Sequence, residues 1–193
     1  MLKRLFDIFL SFFGLCVFSP VWIIISFLIW YEDKGPVLFF QDRVGKNGKI
    51  FKMVKFRSMI KDAEAKTLGL RDKELPQETI TKVGRFLRNT ALDELPQLIN
   101  ILSGEMSFVG PRATLKKEID VLPAKDRQIK LSVKPGLTGI AQIYGRDDIS
   151  AKQRVRFDKI YIKKKNFCFD LKLILLSVFV TLCARWKEKK RKL

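Results

Sequence analysis

Arg85-Phe86-Leu87-Arg88-Asn89-Thr90-Ala91-Leu92-Asp93-Glu94-Leu95-Pro96-Gln97-Leu98-Ile99-Asn100, followed by Ser103-Gly104-Glu105-Met106-Ser107-Phe108-Val109-Gly110-Pro111-Arg112, is the stretch around which the chain is organised. Two adjacent carboxylates, Asp93 and Glu94, stand between arginines on one side and a Gly-Pro-Arg turn on the other. Leu95, Leu98, Ile99 and Leu102 recur at helical spacing, which predicts a helix beginning near the acidic pair. Pro96 fits only the first turn, where its missing N–H costs nothing. Asp93 and Glu94 therefore belong at or just outside a helix N-terminus, beside N–H groups with no intrahelical partner. Such an end can hold an anion, and carboxylates beside it can hold a divalent metal. Plain helix capping is the commoner use of acids at such a place.

The 193 residues suffice for one domain with a real core. Hydrophobic residues make up 47% and charged ones 30%, too apolar for a disordered chain and too charged for a polytopic membrane protein. A net charge of +18 implies a polyanionic partner: nucleic acid, an anionic membrane surface or phosphorylated substrates. Histidine is absent, which excludes Ser-His-Asp and Cys-His catalysis, histidine-ligated zinc and a His general base. Acid–base or nucleophilic work falls to carboxylates, Lys, Tyr or Cys. Cys16, Cys168 and Cys183 lie far apart in apolar surroundings and read as buried, reduced thiols of a cytoplasmic setting.

Upstream, Lys3 and Arg4 precede an apolar block from Leu5 to Tyr31, interrupted by Asp7 and by Ser19-Pro20. It is too long for a signal peptide, and Trp30-Tyr31-Glu32-Asp33 is no small-residue cleavage site. Its length reaches across a hydrocarbon core of ~30 Å. Pro20 removes a backbone hydrogen bond and clashes with the Cys16 carbonyl, so a kink is expected, with Ser19 satisfying a freed carbonyl. Lys3 and Arg4 before the block and Lys34, Arg43, Lys46 and Lys49 after it put basic residues at both ends. The positive-inside preference then favours, over a straight span, a broken helix that enters and returns on the cytoplasmic face.

Downstream, Val37-Leu38-Phe39-Phe40 and Ile50–Phe56 flank Asn47-Gly48, the signal of a type I′ hairpin. Residues 61–81 read as a charged loop containing a short helix. Past Arg112 a polar helix is expected around Thr114–Val121, then the turn-rich Lys134-Pro135-Gly136-Leu137-Thr138-Gly139 and a second turn at Gly145-Arg146-Asp147. Ser150–Lys165 reads as a basic helix with Asp158 and Tyr161 on one face. Leu171–Cys183 is apolar but too short to span, and the basic tail behind it (Arg185 to Lys192) suits a membrane boundary rich in anionic lipids.

These pieces, taken in order, resemble a small monotopic phosphoglycosyl transferase of the bacterial sugar transferase family, nearly end to end. The matching segments include Ser19-Pro20, Lys55-Phe56-Arg57-Ser58-Met59, Gly84-Arg85 through Arg88, and Leu92-Asp93-Glu94-Leu95-Pro96-Gln97. Met106 through Arg112, Lys134 through Gly139, Gly145-Arg146, Asp158-x-x-Tyr161 and Asp170 complete the set. The resemblance implies transfer of a phosphosugar from a UDP-sugar to a polyprenyl phosphate at the cytoplasmic face of the bacterial inner membrane, with release of UMP. It also implies Mg²⁺ dependence and a two-step path through an aspartyl-phosphosugar on Asp93. Glu94 would hold the metal with Asp93 or position the reacting groups. Arg88, Arg112 and Arg146 are the candidates for phosphate and nucleotide contacts, since planar guanidinium groups match phosphate oxygens. Lys55 and Pro111 are further candidates. Ala113, where the family usually has Pro, and Asp147, where Asn is common, depart from the pattern and bear on substrate identity.

The expected architecture is α+β, mostly helical with one β-hairpin. Residues 1–34 would form a re-entrant membrane helix broken at Ser19-Pro20, 35–166 a cytoplasmic catalytic domain, and 167–193 an interfacial helix with its basic tail. A nucleic-acid-binding module would explain the charge and the interleaved aromatics. It explains neither the Leu5–Tyr31 block nor two carboxylates among arginines, so nucleic acid is not an expected partner. A non-catalytic membrane scaffold is the other rival, and homo-oligomerisation is left open.

Overall fold

Two helices, Leu2–Val17 (α1) and Ser19–Asp33 (α2), meet at 60° in a computed structural model that describes residues 2–61, 63, 76–145 and 149–182. The break falls where the sequence places it. Pro20 lies in the first turn of α2, and the Ser19 hydroxyl donates to the Cys16 carbonyl at 2.8 Å. Among the described residues no single helix is long and apolar enough to cross a membrane, whereas the bent pair together has the length and composition.

The hairpin follows as Leu38–Val44 (β1) and Ile50–Phe56 (β2), antiparallel from Leu38↔Phe56 to Val44↔Ile50. Asn47 (φ 57°) and Gly48 (φ 80°) have the positive φ of a type I′ turn. The connector is nevertheless five residues long, because Gly45 N–H bonds Lys49 O (2.8 Å) and the pairing closes only at Val44. Then come Lys82–Thr90 (α3), a 3₁₀ turn at Leu92–Glu94, Gln97–Ser103 (α4) and Ser107–Val109 (β3). Lys116–Asp120 (α5) is the polar helix, shorter than expected, and Ala124–Leu131 (α6) is a further one. Gly136–Thr138 (β4) pairs in parallel with β3. Ile140–Tyr144 (α7), Ala151–Lys164 (α8) and Phe167–Leu182 (α9) end the described chain. Most of 61–81 and the basic tail lie outside the described residues, apart from a 3₁₀ turn at Gln77–Thr79.

Three apolar clusters hold these elements. Phe51 and Met53 of β2 pack with Leu98, Ile101, Met106 and Ala113. Ile25 and Ile29 of α2 pack with Phe56 and Leu87, and Val109 and Ile143 with Tyr161, Leu173 and Val180. The N-terminal helix is tied down by polar contacts. Arg4 donates to Ile101 O (2.6 Å) and Leu102 O (2.8 Å), satisfying the last carbonyls of α4. Lys3 reaches Val109 O (3.0 Å), the Tyr161 hydroxyl (3.2 Å) and the Asp170 carboxylate, and buried Asp7 accepts from Phe108 N–H.

The opposite faces of α1, α2 and α9 present Leu5, Phe9, Phe12, Ile23, Phe27 and Leu175 outward. Cys16 and Cys168 lie on exposed positions rather than buried ones, which corrects the expectation for these two thiols. Val17 and Phe18, which follow Cys16, are exposed, so local hydrophobicity marks an apolar exterior there and not a core. Cys183 is outside the described residues.

Candidate active site

Helix α3 begins under a double cap. The Thr81 hydroxyl accepts from Gly84 N–H (2.9 Å), and the Glu32 carboxylate, from the last turn of α2, accepts from Lys82 N–H (2.7 Å) and Val83 N–H (3.1 Å). A carboxylate at this end offsets both the orphan donors and the helix dipole. Beside it Asp33 pairs with buried Arg57. A side chain at Gly84 would overlap the Ser58 carbonyl, so the glycine lets α3 lie directly on the backbone that follows β2. In its last turn, Arg88 donates through Nε to Ser58 Oγ at 2.8 Å.

The helix stops at Ala91, which is left-handed (φ 58°, ψ 17°) and bonds back to the carbonyls of Leu87 and Arg88. This conformation is costly for a residue with a Cβ, and it turns the chain sharply into Leu92-Asp93-Glu94. Leu92 and Leu95 anchor that turn against Ile25, Ile29, Phe56 and Leu87. With Pro96 as N-cap of α4, the acidic pair sits just ahead of the helix, as its spacing predicts. Asp93 is buried (7% exposed) and Glu94 half-buried.

Lys55 meets both carboxylates: its Nζ is 2.7 Å from Glu94 Oε1 and 3.9 Å from Asp93 Oδ2. Asn100 fixes the strand that carries it. Its Oδ1 accepts from Val54 N–H (3.0 Å) and its Nδ2 donates to Lys52 O (2.8 Å), so one side-chain amide mimics a neighbouring strand on the edge of β2 away from β1. Sequence reasoning passed over Asn100 and Glu32. The available signal for Asn100 was an amide inside the apolar periodicity of Leu95–Leu102.

Pro111 and Arg112 lie in a turn locked by Gly110 N–H to Thr138 O (3.0 Å) and Gly136 N–H to Pro111 O (2.9 Å). They line a small cleft with Val44, Gly45, Lys130 and Pro135. Arg146 and Asp147 lie outside the described residues. Asp158 and Tyr161 are both buried on the inner face of α8. Asp158 pairs with Lys130 at 2.7 Å, and burial pushes its carboxyl above the usual range, opposed by the Lys130 charge. Tyr161 hydrogen-bonds Asp170 and Val109 O, each at 2.9 Å, and burial followed by the Asp170 charge pushes its phenol up. It stays protonated, as a strut for α1.

Among the described residues no three acidic, Cys or His side chains converge on a metal position. Two adjacent carboxylates already accommodating a cation still fit Mg²⁺, which commonly takes one or two carboxylates and completes its shell with water and substrate phosphates. Asp93 and Glu94 are the residues that could hold it.

A family model described as "Bacterial sugar transferase" matches residues 1–184. A protein of Escherichia coli (strain K12) named UDP-glucose:undecaprenyl-phosphate glucose-1-phosphate transferase is 42% identical, over 93% of this chain and 40% of its own length. The undecaprenyl-phosphate galactose phosphotransferase of Salmonella typhimurium is 38% identical, over 94% of this chain and 40% of its own. The exopolysaccharide production protein ExoY of Sinorhizobium fredii is 34% identical, over 91% and 83% respectively. The chain thus spans less than half of the first two relatives and most of the third.

Proposed function

The chain belongs to the bacterial sugar transferase family, and from that premise we propose that it transfers a phosphosugar from a UDP-sugar to a polyprenyl phosphate, releasing UMP. The product is a polyprenyl diphosphosugar, the starting unit of a bacterial glycoconjugate. Undecaprenyl phosphate, which appears in the names of two relatives, is the acceptor we favour. The observation that carries this reading is the buried Asp93 carboxylate, held beside Glu94 on a turn fixed by the end of the Arg88 helix.

An Asp93 oxygen attacks the phosphorus that bears the sugar, and the bond from that phosphorus to the bridging oxygen breaks with its electrons leaving on UMP. The resulting acyl phosphate keeps the sugar on the enzyme. An oxygen of the polyprenyl phosphate then attacks the same phosphorus, and the Asp93 carboxylate leaves, restored. Splitting one displacement into two lets a water-soluble donor and a lipid acceptor use the site in turn. Arg88, Arg112 and Arg146 bind phosphate and nucleotide oxygens and offset the charge that otherwise repels a carboxylate. Asp93 and Glu94 would hold Mg²⁺, which would further neutralise the diphosphate.

The same reading puts α1 and α2 in the cytoplasmic leaflet of the inner membrane as a re-entrant pair. Their 60° bend, their outward Leu, Phe and Ile side chains and the return of Lys3, Arg4 and Asp7 into the domain support it. A cysteine introduced at residue 2 should stay unlabelled by an impermeant reagent added outside intact cells, and labelling there would refute re-entry.

The chemistry is tested by incubating the protein with Mg²⁺ and a panel of labelled UDP-sugars, with and without undecaprenyl phosphate. UMP release with acceptor, and sugar phosphate on Asp93 by peptide mass spectrometry without it, are the expected results. Turnover without any adduct at Asp93 would refute the covalent path.

A further inference from the structure

Lys55 has a geometry that phosphate binding alone does not explain. Its ammonium is 2.7 Å from Glu94 and 3.9 Å from Asp93, and the Lys55, Glu94 and Asp93 side chains are only 18%, 22% and 10% exposed. In such shelter two neighbouring carboxylates repel strongly, and one cation between them offsets that repulsion. A divalent ion would draw on the same carboxylate oxygens. Ammonium and metal therefore compete for Glu94.

We propose that Lys55 is the resident counter-ion of the Asp93–Glu94 pair, and that metal and nucleotide diphosphate loading moves it from Glu94 to the diphosphate, coupling the two binding events. The inference rests on the proposed function for the identity of the two ligands. The strand that carries Lys55 is held on both edges. Strand β2 is pinned on one edge by β1 and on the other by Asn100, so the backbone does not follow. Arg57 is tied to Asp33, and Arg88 Nε to Ser58. Lysine, with a flexible four-carbon stem and a point charge, suits a change of partner where a planar guanidinium would hold its geometry.

The energetic consequence is reciprocal. Metal entering alone must displace the ammonium from a charge-assisted hydrogen bond. With a diphosphate present the displaced ammonium gains a new anion, so each ligand strengthens the other by the same factor.

The test is Mn²⁺ binding, followed by the electron paramagnetic resonance signal of the free ion, with the 193-residue chain in detergent, with and without UDP. Lys55→Met should bind Mn²⁺ alone roughly tenfold more tightly than wild type, and the gain produced by UDP should shrink several-fold. Lys55→Arg, which keeps the charge, should retain the weak wild-type affinity for Mn²⁺ alone. Glu94→Gln should weaken Mn²⁺ binding. If it does while Lys55→Met leaves the affinity for Mn²⁺ alone unchanged or lower, the counter-ion role is refuted and the acidic pair keeps the metal. If neither Glu94→Gln nor Asp93→Asn alters Mn²⁺ binding, the metal assignment of the proposed function falls with it.

Discussion

Lys130→Met removes an ammonium 2.7 Å from Asp158 Oδ2, in a pair whose side chains are 8% and 5% exposed. Burial already raises the Asp158 carboxyl, and Lys130 is the strongest influence opposing that rise. Stranding one member of a buried pair costs about 3–5 kcal/mol. A chain of this size loses ~2–4 °C of Tm per kcal/mol, so a fall of roughly 6–20 °C is expected. The pH dependence has a definite sign. A carboxyl whose folded pKa lies above its unfolded value contributes stability that is full below the unfolded pKa and is lost as pH rises through the folded one. Removing Lys130 raises the folded pKa further, so the deficit should be larger at pH 8 than at pH 5. Thermal unfolding in detergent, followed by circular dichroism at both pH values, measures it. Adding Asp158→Leu should recover most of the loss, because no charge is then left buried without a partner. A deficit independent of pH, or no recovery in the double variant, would refute the reasoning.

Asp93→Asn should cut UMP release by at least ~10³-fold while leaving the circular dichroism spectrum unchanged; near-normal turnover would dismiss Asp93 as nucleophile. Ser58→Ala frees the Arg88 Nε, a loss of ~1 kcal/mol, and should lower kcat/KM roughly fivefold in the same assay. An unaltered kcat/KM would mean the Ser58 bond does not hold Arg88 for the reaction. Ala91→Gly relieves a left-handed backbone worth ~1 kcal/mol and should raise Tm by about 2–4 °C; a lower Tm would show that the alanine side chain contributes more than its backbone costs.

The elements that local chemistry determines were readable in advance. Pro20 and Ser19 announce the break between α1 and α2, and Asn47-Gly48 supplies the positive φ of the hairpin connector. The Leu95–Leu102 periodicity with Pro96 places the acidic pair one short turn before α4. Contacts between distant segments were not readable, because periodicity carries no information about which faces meet. Nothing near Lys55 in sequence points to Glu94, and nothing near Glu32 points to the first turn of α3. The exposed cysteines belong to the same class of miss. An apolar neighbourhood looks alike whether it faces a core or the outside. Asp158 and Tyr161 share a face as their spacing predicts, yet their partners Lys130 and Asp170 come from two other helices.

The last turn of α2 has a practical consequence for anyone seeking a water-soluble enzyme. Glu32 clamps the start of α3, Asp33 holds Arg57, and Ile25 and Ile29 floor the turn that bears Asp93. Amputating the apolar N-terminal helices would therefore dismantle the turn that bears Asp93. Solubility is better pursued by recoating the outward flanks of the two helices with polar side chains, leaving their inward residues in place.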